Sequence, residues 1–194
     1  ETHRIRSITD QFEPGSTFKI VTAVAALSDN KIDLVEEFNC ENGEFEYHDI
    51  KVTDHEEYGM LTLSQIIQYS SNIGVVKVIE RVGRKTLYQT SRSFGFGSLS
   101  GISLAGETVG KLKPIKKWSA VSNGQTAMGY EVGVSAIQLA VAYCAIANGG
   151  YLITPSIVRQ IINHNQDIVY AEETSIIRKI ADEKTMENIR EMLR

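Results

Sequence analysis

Five separate stretches read as helices, four of them with apolar residues recurring at helical spacing, and this pattern limits the fold more than any other feature of the chain. The first stretch follows the turn signal Glu13-Pro14-Gly15 and carries Phe18, Ile20, Val21, Val24, Ala25 and Leu27, ending near Ser28-Asp29-Asn30. A second opens at Thr62 as N-cap, with Leu63, Ile66, Ile67, Ile73, Val76 and Ile79, and is interrupted at Ser70-Ser71-Asn72. A third covers 84–93 and stops at Phe94-Gly95-Phe96-Gly97. The clearest covers 135–148, where Ser135 and Gln138 form a capping box and Gly149-Gly150 ends the helix. The last is capped by Asp182 and places Met186, Ile189 and Leu193 on one face. Strand patterns are weaker. Residues 38–58 read as a hairpin or irregular excursion around Asn42-Gly43, and 151–162 with 168–170 read as two strands joined at 163–166. Residues 98–133 read as Gly-rich loop with one short strand at 101–104. The fold class expected is helix-rich α+β.

Length and composition remove several alternatives. A chain of 194 residues with 42% apolar and 23% charged side chains has enough material for one packed domain. A net charge of −4 gives no electrostatic ground for a nucleic-acid partner. The longest apolar run, 139–147, has nine residues, about half of a bilayer span. Two cysteines, Cys40 and Cys144, form neither a disulfide framework nor a metal-ligand pattern. The start at Glu1-Thr2-His3 and the stop at Met192-Leu193-Arg194 within a helical pattern read as the edges of an excerpt.

Chemistry is suggested at Ser16 and Lys19. A serine hydroxyl needs a base within hydrogen-bonding reach to act as a nucleophile. With Ser16 at a helix start, Lys19 lies nearly one turn on, so that its amine can approach the hydroxyl. The helix N-terminus offers free N–H groups to an oxyanion. Lysine serves as a base only when burial or another cation lowers its pKa, and Phe18, Ile20 and Val21 make burial plausible. Short patterns of this kind recur by accident. Ser-x-x-Lys also occurs at Ser28/Lys31, and Ser-x-Asn occurs at Ser28-Asp29-Asn30 as well as at Ser70-Ser71-Asn72. Ser28 sits at a helix end, where such residues serve as stops. His48, Asp54, His55 and Glu56 read as solvated loop residues rather than metal ligands, and Phe94, Phe96 and Trp118 as packing residues. The 123–126 segment could line a cleft or simply form a loop.

The wider context is more specific. The run from Arg4 through Gln11-Phe12-Glu13-Pro14-Gly15-Ser16-Thr17-Phe18-Lys19 resembles the nucleophile segment of the class B penicillin-binding proteins. So does Tyr69-Ser70-Ser71-Asn72-Ile73-Gly74, whose Ser70 falls 54 positions after Ser16. Phe94-Gly95-Phe96-Gly97, Gly106-Glu107 with Gly110, and Met128-Gly129-Tyr130 leading to Gln138-Leu139-Ala140 and Ala147-Asn148-Gly149-Gly150 match in order. Within that family the Ser-Ser-Asn reading resembles the division-type, septal branch. The resemblance implies a penicillin-binding-protein/β-lactamase-like fold and a serine-type peptidoglycan D,D-transpeptidase. Ser16 would be the nucleophile acylated by a stem-peptide D-Ala carbonyl or by a β-lactam, and Lys19 its general base. Ser70 would relay a proton to the leaving amine, and Asn72 would hold Lys19 and the acyl amide. It implies no cofactor and no metal. Its expected partners are D-Ala-D-Ala stem peptides, β-lactams, a membrane glycosyltransferase and other division proteins, with no nucleic acid. The expected location is the extracytoplasmic side of the inner membrane, with an N-terminal anchor outside these residues.

The sequence departs from the family in two respects, the strands expected before the nucleophile segment being missing as well as a signature element. The third signature element, Lys-Thr-Gly or Lys-Ser-Gly, is absent; Lys85-Thr86-Leu87 and Lys184-Thr185-Met186 lack the glycine. Residues 1–194 are therefore expected to be a partial transpeptidase domain with most of the central antiparallel sheet outside the chain. The 16–27 helix would then lose the surface it normally packs against. One oxyanion donor, worth about 2.7–4 kcal/mol, would also be missing, so that the stretch alone would neither transpeptidate nor bind penicillin efficiently. Two other readings remain: a serine β-lactamase or D,D-carboxypeptidase, in which water resolves the acyl-enzyme, and a non-catalytic β-lactam-sensing or division-scaffold module.

Overall fold

The computed structural model describes residues 4–28 and 31–194. Its helices are α1 (Arg6–Thr9), α2 (Lys19–Ser28), α3 (Leu63–Gln68), α4 (Asn72–Val82), α5 (Arg84–Ser93), α6 (Ser122–Ala127), α7 (Ala136–Ala147) and α8 (Glu183–Met192). The strands are β1 (Glu37–Asn39), β2 (Glu44–Tyr47), β3 (Ile50–Thr53), β4 (Met60–Thr62), β5 (Lys111–Leu112), β6 (Val132–Gly133), β7 (Tyr151–Ile153), β8 (Gln160–Ile162), β9 (Ile168–Ala171) and β10 (Ile176–Lys179). Among the described residues every sheet is a two-stranded antiparallel pair: β1 with β4, β2 with β3, β5 with β6, β7 with β10 and β8 with β9. The result is a helix-rich α+β fold, as the periodicity implies.

α2 is the axis of the molecule. Every residue from Lys19 to Ala26 is buried, and a helix apolar on all sides must be enclosed by other elements. α3, α4, α5, α6 and α8 pack around it. This corrects the expectation that α2 would lose its packing surface: the helices supplied by these residues cover it. At its entrance the Phe18 ring meets Phe96 with centroids 5.1 Å apart, so the Phe94-Gly95-Phe96-Gly97 turn closes the core beside the start of α2. Sequence-encoded caps fix the surrounding helices. Thr62 and Gln65 form a capping box on α3, Ser135 and Gln138 one on α7, and Asp182 accepts the Thr185 N–H at 2.7 Å on α8.

Other expectations fail for local reasons. In the 37–62 excursion the hairpin turn lies at His48–Asp49, with His48 at φ 56°, and not at Asn42-Gly43. The latter pair forms a 3-10 turn leading into β2 because β1 pairs with β4. No strand forms at 101–104; Gly101 adopts φ 85°, and the Leu104 N–H turns back to Ile102 O. α6 was not expected, since Ser-Asn-Gly-Gln-Thr-Ala has a loop composition. It forms because Gly124, lacking a side chain, lets the helix lie against Tyr47 and Val76. The 151–162 segment divides into β7 and β8 around Pro155, and β7 pairs with the unforeseen β10. On α8, Met186 and Ile189 are buried as expected, and Met192 rather than Leu193 completes the face. Asp29 and Asn30 of the second Ser-x-Asn match lie outside the described residues.

Truncating the ring that closes the core at α2, Phe96→Ala, should cost about 3–5 kcal/mol in a urea-unfolding experiment. A change below about 1 kcal/mol would show that this contact does not hold the entrance of α2.

Candidate functional site

The segment before α2 is held as a rigid turn. Gly15 has φ 56° and donates its N–H to Gly129 O at 3.1 Å. Gly129 itself sits at φ 89°, and a Cβ there would overlap the Gly15 backbone. The close approach therefore requires glycine at 129, while at 15 it is the left-handed backbone that favours glycine. A bridge between Phe12 and Val134 and a Glu13 carboxylate accepting the Glu131 N–H at 3.0 Å fix the strand side of the turn. Thr17 Oγ1 donates to Pro14 O at 2.7 Å, and Tyr143 Oη to Thr17 O at 3.1 Å. Residues 15–18 form one 3-10 turn that passes directly into α2. On it Phe18 points into the core, while Ser16 is exposed. Ser16 Oγ makes no hydrogen bond among the described residues, so its hydroxyl is available to an incoming group.

Lys19, one turn further, is 2% exposed. Its Nζ donates to Ser70 O, to Ser70 Oγ at 3.0 Å and to Asn72 Oδ1 at 2.8 Å. Burial pushes its pKa down to about 8, and the negative charge of Asp54 opposes that shift. The acceptors come from the corner between α3 and α4. The Tyr69, Ser70 and Ser71 N–H groups close α3 onto the Gln65, Ile67 and Ile66 carbonyls, respectively. Ser70 takes φ 57°, a left-handed conformation costing a serine on the order of 1 kcal/mol. In this corner its carbonyl and hydroxyl both meet the amine. The carbonyl and the Asn72 amide oxygen can only accept, whereas the Ser70 hydroxyl can accept from an ammonium or donate to a neutral amine. The cluster can thus hold either protonation state of Lys19 without rearrangement.

Lys19, Ser70 and Asn72 are therefore brought together from sequence positions more than fifty residues apart. Ser16 stands at the head of the same helix but is not hydrogen-bonded to the amine. At the other match, Lys31 Nζ donates to Val82 O at 2.9 Å, beyond the opposite end of α2. Asn123 belongs to a packing network: its Nδ2 donates to Glu80 Oε1 at 2.7 Å, which also receives the Tyr47 hydroxyl at 2.6 Å. Trp118 Nε1 donates to Lys113 O, and Phe94 is buried. Among the described residues no group of three His, Cys, Asp or Glu side chains is placed to hold a metal ion, and no helix is long and apolar enough to cross a membrane.

Asp54 is the residue that sequence reasoning missed. Its carboxylate accepts the Ser71 hydroxyl at 2.5 Å, the Asn72 N–H and the Ile73 N–H at 3.0 Å. Nothing in the local sequence marks it, because it reaches α4 only through the folded 37–62 excursion. Asp54 N–H donates to Gly43 O at 3.1 Å, and the Asn72 amide nitrogen donates to Thr53 O at 2.8 Å.

An exposed serine on a glycine-buttressed turn, followed by a buried lysine of lowered pKa within a serine–asparagine cluster, defines a site suited to acyl transfer. The model of the penicillin-binding protein transpeptidase domain matches residues 2–194, and the chain belongs to that family. It is 35% identical over 182 residues to stage V sporulation protein D of Bacillus subtilis, covering 92% of this chain and 28% of that protein. It is 32% identical over 177 residues to a probable peptidoglycan D,D-transpeptidase of Pseudomonas aeruginosa, covering 91% and 31%. The fold superposes on the transpeptidase domain of Burkholderia pseudomallei penicillin-binding protein 3 with TM-score 0.86 and 31% identity, over 98% of this chain and 55% of that one. The Mycobacterium tuberculosis penicillin-binding protein 3 complexed with aztreonam gives TM-score 0.86 at 28% identity, over 97% and 42%. The chain thus spans less than a third of the length of these two curated relatives.

The depressed Lys19 pKa has a linkage consequence with a definite sign. Between about pH 8 and 10.5 the unfolded chain holds a proton on Lys19 that the folded chain does not, so folding stability should rise with pH across that window. Below about pH 8 this contribution is constant. Urea unfolding of wild type and Lys19→Met from pH 7 to 10.5 should show this rise in wild type only. Parallel curves would contradict the burial of an ionisable amine at this position.

Proposed function

We propose that this chain carries the serine and lysine machinery of a peptidoglycan D,D-transpeptidase that is also acylated by β-lactams. The observation that carries the proposal is the Lys19 amine, buried among Ser70 and Asn72 with a pKa of about 8, one turn after the exposed Ser16. At neutral pH a useful fraction of such an amine is unprotonated, whereas an ordinary lysine is almost wholly charged.

The proposed sequence is short. Ser16 Oγ attacks the penultimate D-Ala carbonyl of a stem peptide while its proton passes to Lys19 Nζ. The C–N bond breaks as the terminal D-Ala leaves with a proton relayed through the Ser70 hydroxyl, giving a Ser16 ester. The amine of a neighbouring stem then attacks the ester, its proton returns through Ser70 and Lys19 to Ser16 Oγ, and a cross-link results. With the Gly15 N–H engaged by Gly129 O, the Ser16 N–H is the donor of this turn left for the developing oxyanion, and Asn72 orients the amine and the acyl amide. With a β-lactam the opened ring retains the leaving nitrogen, so the ester persists. One relative, the Mycobacterium tuberculosis penicillin-binding protein 3, crystallised with aztreonam and with ampicillin, supports this class of ligand.

Within the family we place the chain on the division-type branch, on the reading of Ser70-Ser71-Asn72. There a membrane glycosyltransferase and division proteins are its partners, at the outer face of the inner membrane, with an anchor outside these residues. Because Lys-[Ser/Thr]-Gly is absent from the sequence, the 194 residues alone are expected to be poorly active.

A fluorescent penicillin should label the longer polypeptide that carries this stretch, with the adduct mapping by mass spectrometry to the Ser16 peptide. Ser16→Ala should abolish labelling, and Lys19→Met should slow it by about 100-fold or more. The isolated 194 residues should label about 100- to 1000-fold more slowly than the longer protein, the effect of one missing oxyanion donor. An adduct elsewhere, or undiminished labelling of Ser16→Ala, would overturn the assignment. Rapid turnover of the penicillin would point to a lactamase.

A further inference from the structure

The Asp54 carboxylate is engaged in a way that packing alone does not require. It gathers three donors in succession, the Ser71 hydroxyl and the Asn72 and Ile73 N–H groups, at the first turn of α4. The Ser71 hydroxyl in turn accepts the Gly74 N–H at 2.8 Å, so two side chains share the capping of this helix. An N-cap needs one side-chain oxygen, and Ser71 supplies it. A second, ionised acceptor adds a negative charge where the helix dipole is positive, two residues from Ser70 and in direct contact with the Asn72 backbone.

We propose that Asp54 is a positioning residue for the Lys19 cluster, fixing Ser70 and Asn72 around the amine through the start of α4 and governing, through its charge, how firmly that amine holds a proton. Both effects follow from one placement. The hydrogen bonds lock the backbone of 71–73, and with it the Asn72 side chain, which is braced between Thr53 O and Lys19 Nζ. The charge lies on the far side of the same motif, where it favours the ammonium form. Burial alone would strip the proton from Lys19 more completely. Asp54 retains enough affinity for the amine to accept a proton from a serine hydroxyl and then release it. In the catalytic reading this tunes the base; the structural and electrostatic parts stand independently of that reading.

The surroundings leave Asp54 as the charged side chain that acts on Lys19. The groups facing Asp54 from its other side are the Cys40 thiol and the Tyr58 phenol, both pushed upward chiefly by burial and therefore neutral near pH 8. Glu41 and Lys77 pair with each other near Cys40. Glu56 acts on Tyr58, and His55 is exposed next to Asp54 in the chain. Gly43 brings this acidic loop close, since a Cβ there would come within 3.0 Å of Glu56 O.

The test reads Lys19 directly and needs no acylation. In protein carrying ¹³C-labelled lysine, the Cε resonance lost in Lys19→Arg identifies Lys19, and its titration gives the midpoint. Asp54→Asn keeps the shape and the accepting oxygen but removes the charge, and should lower the midpoint by about half a unit to one unit, with Asp54→Glu restoring most of it. His55→Gln should leave it in place. An unchanged midpoint in folded Asp54→Asn would overturn the proposal. Should Asp54→Asn fail to fold, the wild-type chain still decides: the Asp54 carboxyl carbon must show an inflexion at the Lys19 midpoint, and its absence would equally overturn the coupling. Failure of Ser16 to label with penicillin, by contrast, would bear only on the transpeptidase reading.

Discussion

The burial of one lysine amine organises this molecule. An ammonium group removed from water is costly unless it is matched by acceptors, and the cost appears here as a pKa reduced to about 8. α2 is enclosed by helices along most of its length, so the Lys19 side chain, 2% exposed, takes its partners from neighbouring elements rather than from water. They are provided at a single place, the break between α3 and α4, where a left-handed Ser70 and the first residue of α4 present three oxygens to one nitrogen. A continuous helix through 63–82 would pair the Ser70 carbonyl within the helix and deny it to the amine.

The same economy of position applies to Ser16. Its turn is fixed by a backbone contact that tolerates no side chain at Gly129 and by a left-handed Gly15, while its own hydroxyl is left without a partner. A rigid turn with a free hydroxyl and a strained corner with a proton-accepting amine are features that reduce stability locally. They are held in place by the well-packed core around Phe18, Phe94 and Phe96. Small two-stranded sheets serve as braces rather than as a central layer, and the excursion closed by β1 and β4 carries Asp54 to the start of α4.

Much of this was legible from residues alone, because local rules govern it. Thr62 and Gln65, Ser135 and Gln138, and Asp182 announce helix starts through hydrogen bonds that span three residues. Ser16, Lys19, Ser70 and Asn72 were picked out by two short patterns in order, strengthened by the resemblance around them. What was not legible depends on distant partners. α6 has a loop composition and is stabilised by Tyr47 and Val76 meeting Gly124. The hairpin turn fell at His48 because the pairing of β1 with β4 leaves Asn42-Gly43 to another use. Asp54 reads as one more acid in a polar loop until the chain between 37 and 62 folds back on α4.

The pH dependence of Ser16 acylation most directly tests whether Lys19 acts as a buried base. In a polypeptide that supplies a Lys-[Ser/Thr]-Gly element together with these residues, the second-order rate constant for penicillin acylation, measured by stopped flow between pH 5.5 and 9.5, should rise with deprotonation of a single group whose midpoint lies near 8. A rate independent of pH across that range, or an ascending limb with a midpoint below 6, would contradict the assignment of Lys19 as the group that takes the serine proton.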